Sequence, residues 1–400
     1  MQKFDPQEFV DKQVIAIRKL IGRERALIAV SGGVDSTTCA VLTHRALGEN
    51  LLCVMLDDAF MRIGEPEKVR EILSQAPLRL PIRILRVQER FLKALKGLRD
   101  AEEKRRAFRE TFYEILSEAA ESEGCPFLVQ GTIQADIVET VGGIKTQHNV
   151  LSQTGISPTE YYGFQVIEPL STLYKEQVRR VARFLGIPSE MSERQPFPGP
   201  GLSVRVVGEI KTDKLESLKA ATAMAEGFLT KHKPSQYFVA IIDNREALEH
   251  PRLSNVVKTT AKVLKIPAEL ISVKVFRDRV TGIKGSKRHY GGIAAVKALT
   301  ANGSIYQSPM DRLVALQTEV LRKNPSLTRV FYAVQEERSK QPYVIAMRAI
   351  ETRDFLTAKV SHIPWKTLEK TAQEILQKCS NVSRVYYDVT SKPPATIEME

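Results

Sequence analysis

The sequence predicts an α/β protein: a doubly wound parallel sheet followed by a duplicated α+β C-terminal domain. Three observations predict it. Strand and helix signals alternate through the first 195 residues, a Pro/Gly-rich stretch then interrupts them, and the second half repeats a helix that runs into a strand. The expected segments are 1–195, a connector and helix over 196–230, a first C-terminal repeat over 231–335 and a second over 336–400.

Strands are predicted at Ala26–Val30, Leu51–Leu56, Ile82–Val87, Phe127–Gln130 and Gln165–Glu168, each a short apolar run bounded by polar or glycine residues. Helical spacing occupies Ser36–Leu47, Glu67–Leu73 and Ala107–Ala120. Pro196-Phe-Pro-Gly-Pro-Gly201 is neither helix nor central strand. A helix is expected from Asp213 to Leu229. Beyond it, Pro309–Val334 and Pro364–Val389 align without a gap at an offset of 55, and Ile293–Leu299 aligns with Val344–Ile350. The repeated unit is therefore strand, helix, strand, and two copies suit an intramolecular pseudo-dimer, either in a monomer or within a homodimer. Residues 234–270, including Ile241-Ile-Asp-Asn-Arg245, have no clear counterpart, and their role is left open by the sequence.

No apolar run is long enough to span a bilayer, and the N-terminus carries no signal-peptide core. Four scattered cysteines without C-x-x-C spacing argue against a zinc site, a disulfide framework or a redox dithiol and fit a reducing cytoplasm. The net charge of +12 is densest from Arg79 to Arg109. Lys104-Arg105-Arg106 there reads first as a solvated helix face, next as a surface for nucleotide-like polyanions. With no RNA-binding aromatic motif or zinc-finger spacing, nucleic acid is not an expected partner.

The most informative string is Ser31-Gly-Gly-Val-Asp-Ser-Thr37, between the first strand and the first helix of the sheet. Two glycines let backbone N–H groups close around an oxyanion, and the helix N-terminus adds positive potential. Asp35 beside phosphate is repulsive unless a metal lies between them, so the string suggests a magnesium–pyrophosphate site. No lysine follows the glycines as in G-x-x-x-x-G-K-[ST], which argues against kinase or GTPase chemistry. The string resembles the signature of ATP pyrophosphatases, which cleave ATP between the α- and β-phosphates.

Further motifs resemble GMP synthase, in its ATP pyrophosphatase and C-terminal portions. They are Glu89-Arg-Phe-Leu92, Gln130-Gly-Thr132 with Asp136 and Glu139, Ile144-Lys145 with His148-Asn149, Glu168-Pro-Leu170, Pro196–Leu202 and Ser391-Lys-Pro-Pro-Ala-Thr-Ile-Glu398. The duplicated C-terminal unit is similar to the family's two-subdomain form. The resemblance implies adenylation of the 2-oxygen of XMP by Mg-ATP, then displacement of AMP by ammonia. It implies that Ser31, Gly32, Gly33, Val34, Asp35, Ser36, Thr37, Leu56 and Gly131 bind ATP and pyrophosphate. Asp35 and Asp136 would hold Mg2+, and Asp35, Asp136 and Lys145 would serve catalysis. Pro196, Pro198, Gly199, Pro200, Gly201, Arg288, Lys392, Thr396, Ile397 and Glu398 would form the XMP pocket, with Arg288 from the first repeat and the tail from the second. No glutaminase domain is expected, since the first strand begins about 25 residues in. Ammonia then comes from a separate glutaminase subunit or from solution. The family pattern is altered at Asp57-Asp58-Ala59, Phe108-Arg109, Gln134 and Gln195. Two alternatives stay open on the sequence: a paralogue that adenylates another nucleobase or carbonyl compound, and a catalytically silent nucleotide-binding protein.

Overall fold

The computed structural model describes residues 4–141, 158–247, 253–285, 287–336, 340–352 and 356–400. They form two compact units, residues 1–95 with 105–200 and residues 96–104 with 201–400. The four expected segments thus regroup. Pro196–Pro200 counts with the first unit, the helix after it with the second, and no unit boundary falls near 335.

In the first unit the chain runs α1 (Pro6–Ile21), β1 (Ala26–Ala29), α2 (Val34–Leu47), β2 (Leu51–Asp57), α3 (Glu65–Ser74), β3 (Ile82–Arg86) and α4 (Gln88–Leu95). It continues with α5 (Ala101–Ser122), whose first turn counts with the second unit, then β4 (Phe127–Val129), α6 (Gln134–Val141), α7 (Pro158–Tyr162), β5 (Gln165–Ile167), α8 (Lys175–Phe184) and α9 (Ser189–Ser192). The strands pair in parallel in the order β3-β2-β1-β4-β5. The order reverses at β1, so β1 and β4 diverge there and open a crevice at their carboxyl ends. Ile28, Cys39, Leu42, Met55 and Leu170 lie in the buried core, which explains why the strands read as continuous apolar runs.

The second unit holds α10 (Thr212–Leu229), β6 (Gln236–Asp243), α11 (Leu253–Leu264), β7 (Ile271–Val275), β8 (Val280–Lys284), β9 (Lys287–Ala298), α12 (Met310–Lys323), β10 (Leu327–Glu336), β11 (Tyr343–Glu351), β12 (Lys359–Val360), α13 (Trp365–Lys378) and β13 (Val382–Asp388). One sheet runs β12-β11-β13-β10-β9-β7, with β6 on β11 and β8 on β9. The two repeats meet where β10 and β13 pair antiparallel. There Tyr332 faces Tyr387, the residue that matches it in the other repeat. A residue facing its own equivalent defines a pseudo-two-fold axis, the self-complementary arrangement of a symmetric dimer held within one chain.

That axis accounts for residues 234–270. β6 pairs antiparallel with β11 as β7 does with β9, and α10 packs on α13 as α11 does on α12. One half is thus α11-β7-β9-α12-β10 and the other α10-β6-β11-α13-β13. The halves are interleaved along the chain, so a gapless repeat cannot display their opening helix and strand.

The solvated-face expectation for Lys104-Arg105-Arg106 is corrected for two of the three. Lys104 and Arg105 are buried while Arg106 is exposed, because consecutive residues on a helix point in different directions. Lys104 Nζ donates to the carbonyls of Val206 (2.7 Å) and Gly208 (2.9 Å) and pairs with the Glu400 carboxylate.

Candidate functional site

β1 delivers the chain to the crevice, and the Ser31–Thr37 turn closes on itself there. Ser31 N–H donates to Ser36 Oγ at 3.2 Å, the two serine hydroxyls lie 3.0 Å apart, and Ser36 Oγ donates to the Gly33 carbonyl at 3.2 Å. Gly32 needs to be glycine twice over. Its φ is +77°, and a Cβ there would lie 2.7 Å from Val69 Cγ2. Gly131, just past β4, approaches the first turn of α2 so closely that a Cβ would sit 2.9 Å from Ser36 N. Val34 and Thr37 are buried at the start of α2, and Leu56 is buried near the end of β2.

Asp35 is the charged member of this turn. Its Oδ2 accepts from Lys175 Nζ at 2.6 Å, while its Oδ1 is buried without a hydrogen-bond partner. Lys175 opens α8, a place where a cation opposes the helix dipole and acidic residues are favoured. That misplaced charge is the sequence signal that could have singled it out. Asp136 lies in the first turn of α6, where its Oδ2 accepts from Ile133 N–H at 3.0 Å. Thr132 Oγ1, two residues before the helix, donates to Glu168 Oε1 at 2.6 Å. Lys145, Ile144, His148 and Asn149 lie outside the described residues.

Phe197, in the proline stretch, lies under the Arg62 guanidinium at 4.3 Å from its ring centre. Arg62 and Arg194 both pair with the buried carboxylate of Glu65, Arg194 at 2.6 Å. This brace sets the path of Pro196 and Pro198 on the first unit. Gly199 has open space where a Cβ would be. Pro200 is the last residue of this unit and Gly201 the first of the next segment of the second.

In the second unit the structure brings the tail of the second repeat onto the β8–β9 hairpin of the first. Ile283 N–H donates to the Pro394 carbonyl at 2.6 Å, Thr281 N–H to Met399 O at 2.8 Å, and Thr396 Oγ1 to Thr281 O at 3.0 Å. Arg288 pairs across the hairpin with Ile283 and donates to Glu102 Oε1 at 2.6 Å. Lys392 is tied through its backbone to Ala358. Ile397 packs on the core, and Glu398 accepts a two-pronged bond from Arg205 at 2.9 Å on each prong. Arg205 in turn lies 4.4 Å over the Phe238 ring.

Beneath the tail are two more arginines that sequence reasoning did not find. Arg329 and Arg348 share the Asp388 Oδ2, at 2.6 and 2.8 Å, and all three side chains are fully buried. Their terminal nitrogens also donate to tail carbonyls, Arg329 to Thr396 (2.9 Å) and Glu398, Arg348 to Thr390 (2.8 Å) and Thr396 (3.1 Å), while the Nε of each is buried without a partner. Burial pulls the pKa of the Arg329 guanidinium down to about 10, against the pull of Asp388. Tail carbonyls thus meet the positive charge that one aspartate leaves over.

Comparison with known proteins places this geometry in a family. A PP-loop domain family matches residues 6–190, and the GMP synthase C terminal domain family matches residues 332–399. One subunit of the glutamine-hydrolyzing GMP synthase of Sulfurisphaera tokodaii is 42% identical over 397 residues, covering 99% of this chain and 100% of that one. The chain belongs to the GMP synthase family. The namesake from Saccharolobus solfataricus is 43% identical over 398 residues, and that from Methanopyrus kandleri 39% over 397, each again with 99% of this chain and 100% of the relative covered. The ATP pyrophosphatase-like first unit expected from the turn at Ser31 stands with the PP-loop match. The free cysteines, Cys39, Cys53, Cys125 and Cys379, are all buried, and burial pushes the Cys53 thiol up to about 12 and Cys379 to about 11. Such thiols are poor nucleophiles. No described helix is long and apolar enough to cross a membrane.

Proposed function

We infer that the protein is the synthetase subunit of a two-part GMP synthase, a carbon–nitrogen ligase that converts ATP to AMP and pyrophosphate. The observation that carries this is the end-to-end match to relatives that are GMP synthase subunits, with a PP-loop turn and the C-terminal tail in one chain. ATP transfers its AMP moiety to the 2-oxygen of the xanthine base of XMP and releases pyrophosphate. Ammonia attacks the carbon that bears this oxygen, the carbon–oxygen bond breaks so that AMP leaves with the oxygen, a proton is released, and GMP remains. The full-length match does not favour another acceptor or a silent protein.

The Ser31–Thr37 turn takes the pyrophosphate through the N–H groups of its glycines, the hydroxyls of Ser31 and Ser36, and the positive end of α2. The site fits a magnesium ion. Asp35 offers a buried oxygen with no other partner. Among the described residues no three acidic, histidine or cysteine side chains gather, but magnesium at phosphates commonly needs only one or two carboxylates. Asp35 and Asp136 would hold the ion, which when bound neutralises phosphate charge. Lys175, already at Asp35, supplies the cation that the turn itself lacks, and Lys145 is the second candidate cation. Arg288 and Lys392 bind the XMP phosphate, with Thr396, Ile397 and Glu398 beside them in the second unit, and Pro196–Gly201 are further candidates for contact with XMP. The relatives are named as single subunits of a glutamine-hydrolyzing enzyme, which supports a separate glutaminase partner that delivers ammonia. The four free thiols favour a cytoplasmic setting.

The test is turnover with Mg-ATP, XMP and ammonium, following pyrophosphate, AMP and GMP. Equal yields of all three, with no pyrophosphate formed when XMP is omitted, are expected. Pyrophosphate release independent of XMP overturns the reading. Arg288→Ala is expected to raise the KM for XMP about 10- to 100-fold, the cost of one charged hydrogen bond. Lys175→Ala is expected to lower kcat rather than raise that KM.

A further inference from the structure

The pseudo-two-fold axis relates the rim that carries Arg288 to a second rim. Ile293–Leu299 matches Val344–Ile350, so the described residues Gln341 and Pro342 before β11 match Tyr290 and Gly291 of β9. No hairpin stands there among the described residues. Instead the ends of β6 and β11, with Lys274 of β7 from the other half, border an open cleft of about 330 Å³, at the lower edge of small-ligand sites. Lys211, Arg245, Lys274 and Lys340 line it.

Its chemistry is one-sided. The lining carboxylate, Asp243, is already engaged by Lys214 Nζ at 2.6 Å. Asp213, in the first turn of α10, accepts from Tyr343 Oη at 2.9 Å. Asn244 closes the floor, donating from its backbone to Pro342 O (2.7 Å) and from Nδ2 to Gln341 O (2.9 Å). Held so, Asn244 presents its Oδ1 to Lys274 Nζ at 2.8 Å and its carbonyl at 3.3 Å. The Lys274 ammonium is thereby fixed in place, half-buried, where burial disfavours its charge more than the nearby Glu246 carboxylate favours it. An anion entering the cleft would relieve that cost. Lys211 adds a cation at the N-cap of α10, a position that ordinarily holds Ser, Thr, Asp or Asn. Arg245 holds the place after β6 that Arg279 holds after β7, so the pseudo-symmetry preserves a guanidinium at both rims.

We propose that this cleft is a second nucleotide site, which binds the phosphate group of a purine nucleotide through Lys274, Arg245, Lys340 and Lys211. Its placement rests in part on the reading of Arg288 as the XMP-phosphate ligand, and the two are tested separately. A ligand here lies on the same sheet as the tail, so occupancy offers the product GMP a second point of contact with the enzyme.

The test is equilibrium dialysis of labelled GMP against the full chain, the double variant Arg245→Glu/Lys340→Glu, and Arg288→Ala. The double variant is expected to lose one GMP equivalent per chain relative to the unaltered protein, while keeping its turnover at saturating XMP and its melting temperature. Arg288→Ala is expected to lose a different equivalent, so the two lesions add. Inorganic pyrophosphate as competitor separates the sources: displacement of the cleft equivalent shows that phosphate alone is read, and persistence shows that the nucleoside is read too. If the double variant binds as much GMP as the unaltered chain, the proposal is overturned. If it loses one equivalent and Arg288→Ala loses none, the cleft stands and the Arg288 reading fails.

Discussion

At the centre of the C-terminal sheet the two halves of the second unit are alike, and at its rims they are not. Tyr332 and Tyr387 face each other across the axis, and each hydroxyl donates to a carbonyl 26 residues upstream, Tyr306 O at 2.7 Å and Ser361 O at 2.8 Å. Away from the axis the match dissolves. One half has the β8–β9 hairpin with Arg288, and the other has at its rim the basic cleft, to which β7 of the first half lends Lys274. One half contributes Arg329 to a buried cluster, and the other contributes Arg348 and Asp388. The positions that match Arg329, Arg348 and Asp388 are Arg384, Lys297 and Ala333. The cations are kept on both sides while the acid survives on one. Duplication within one chain thus lets a symmetric core support an asymmetric site, because each half is free to lose what the other retains.

The largest test of that asymmetry removes its acid. Asp388→Ala makes the second half resemble the first and leaves Arg329 and Arg348 buried without a counter-charge. It is expected to cost about 3–5 kcal/mol, the penalty for stranding a buried partner. Equilibrium denaturation measures it. The tail whose carbonyls these arginines hold should loosen as well, read as faster amide exchange at Thr396 and Glu398. A loss below about 1 kcal/mol would mean that tail carbonyls alone satisfy both arginines.

What the sequence disclosed follows the same division. The sheet strands were legible because parallel strands buried on both faces read as apolar runs. The Ser31–Ser36 turn was legible because its glycines and hydroxyls are adjacent in the chain. The helix-to-strand repeats were legible because they align without a gap. Interleaving hid the rest of each half, since Ile241–Arg245 and Val275–Arg279 occupy equivalent places but share little beyond a terminal arginine. The buried ion pairs were equally hidden. Lys104 meets Glu400, Arg205 meets Glu398, and Asp35 meets Lys175, all across long stretches of chain. A charge run such as Lys104-Arg105-Arg106 looks solvated until the partner is located.

A second test acts on the rim that carries Arg288. A Cβ at Gly291 would lie 2.5 Å from Thr328 Cγ2 and 2.8 Å from Ser326 O, and Thr328 is itself buried. The matching position in the other half is the exposed Pro342. Gly291→Ala is expected to destabilise by about 1–3 kcal/mol through overpacking. It should also raise the KM for XMP by displacing the hairpin. Pro342→Ala keeps the carbonyl that Asn244 uses, and is expected to shift stability by less than about 1 kcal/mol. Equal effects at the two positions would show that the rims are less different than their contacts.

The smallest test asks whether the centre is truly symmetric. Tyr332→Phe and Tyr387→Phe each remove one hydroxyl bonded to a carbonyl, and each is expected to cost about 1 kcal/mol. Burial raises the pKa of both phenols well above the ordinary value near 10. A neutral acid with a raised folded-state pKa holds its proton when the unfolded chain has lost it. Below pH ~10 neither state is ionised, and the phenols leave stability independent of pH. Above pH ~10 the unfolded state binds fewer protons, so stability falls as pH rises, by up to about 1.4 kcal/mol per pH unit for each phenol. The double variant should show a shallower alkaline decline than the unaltered chain, with the two single variants intermediate and alike. If one tyrosine carried the whole decline, the axis would be a feature of the backbone pairing alone, and the asymmetry of the rims would reach the centre of the sheet.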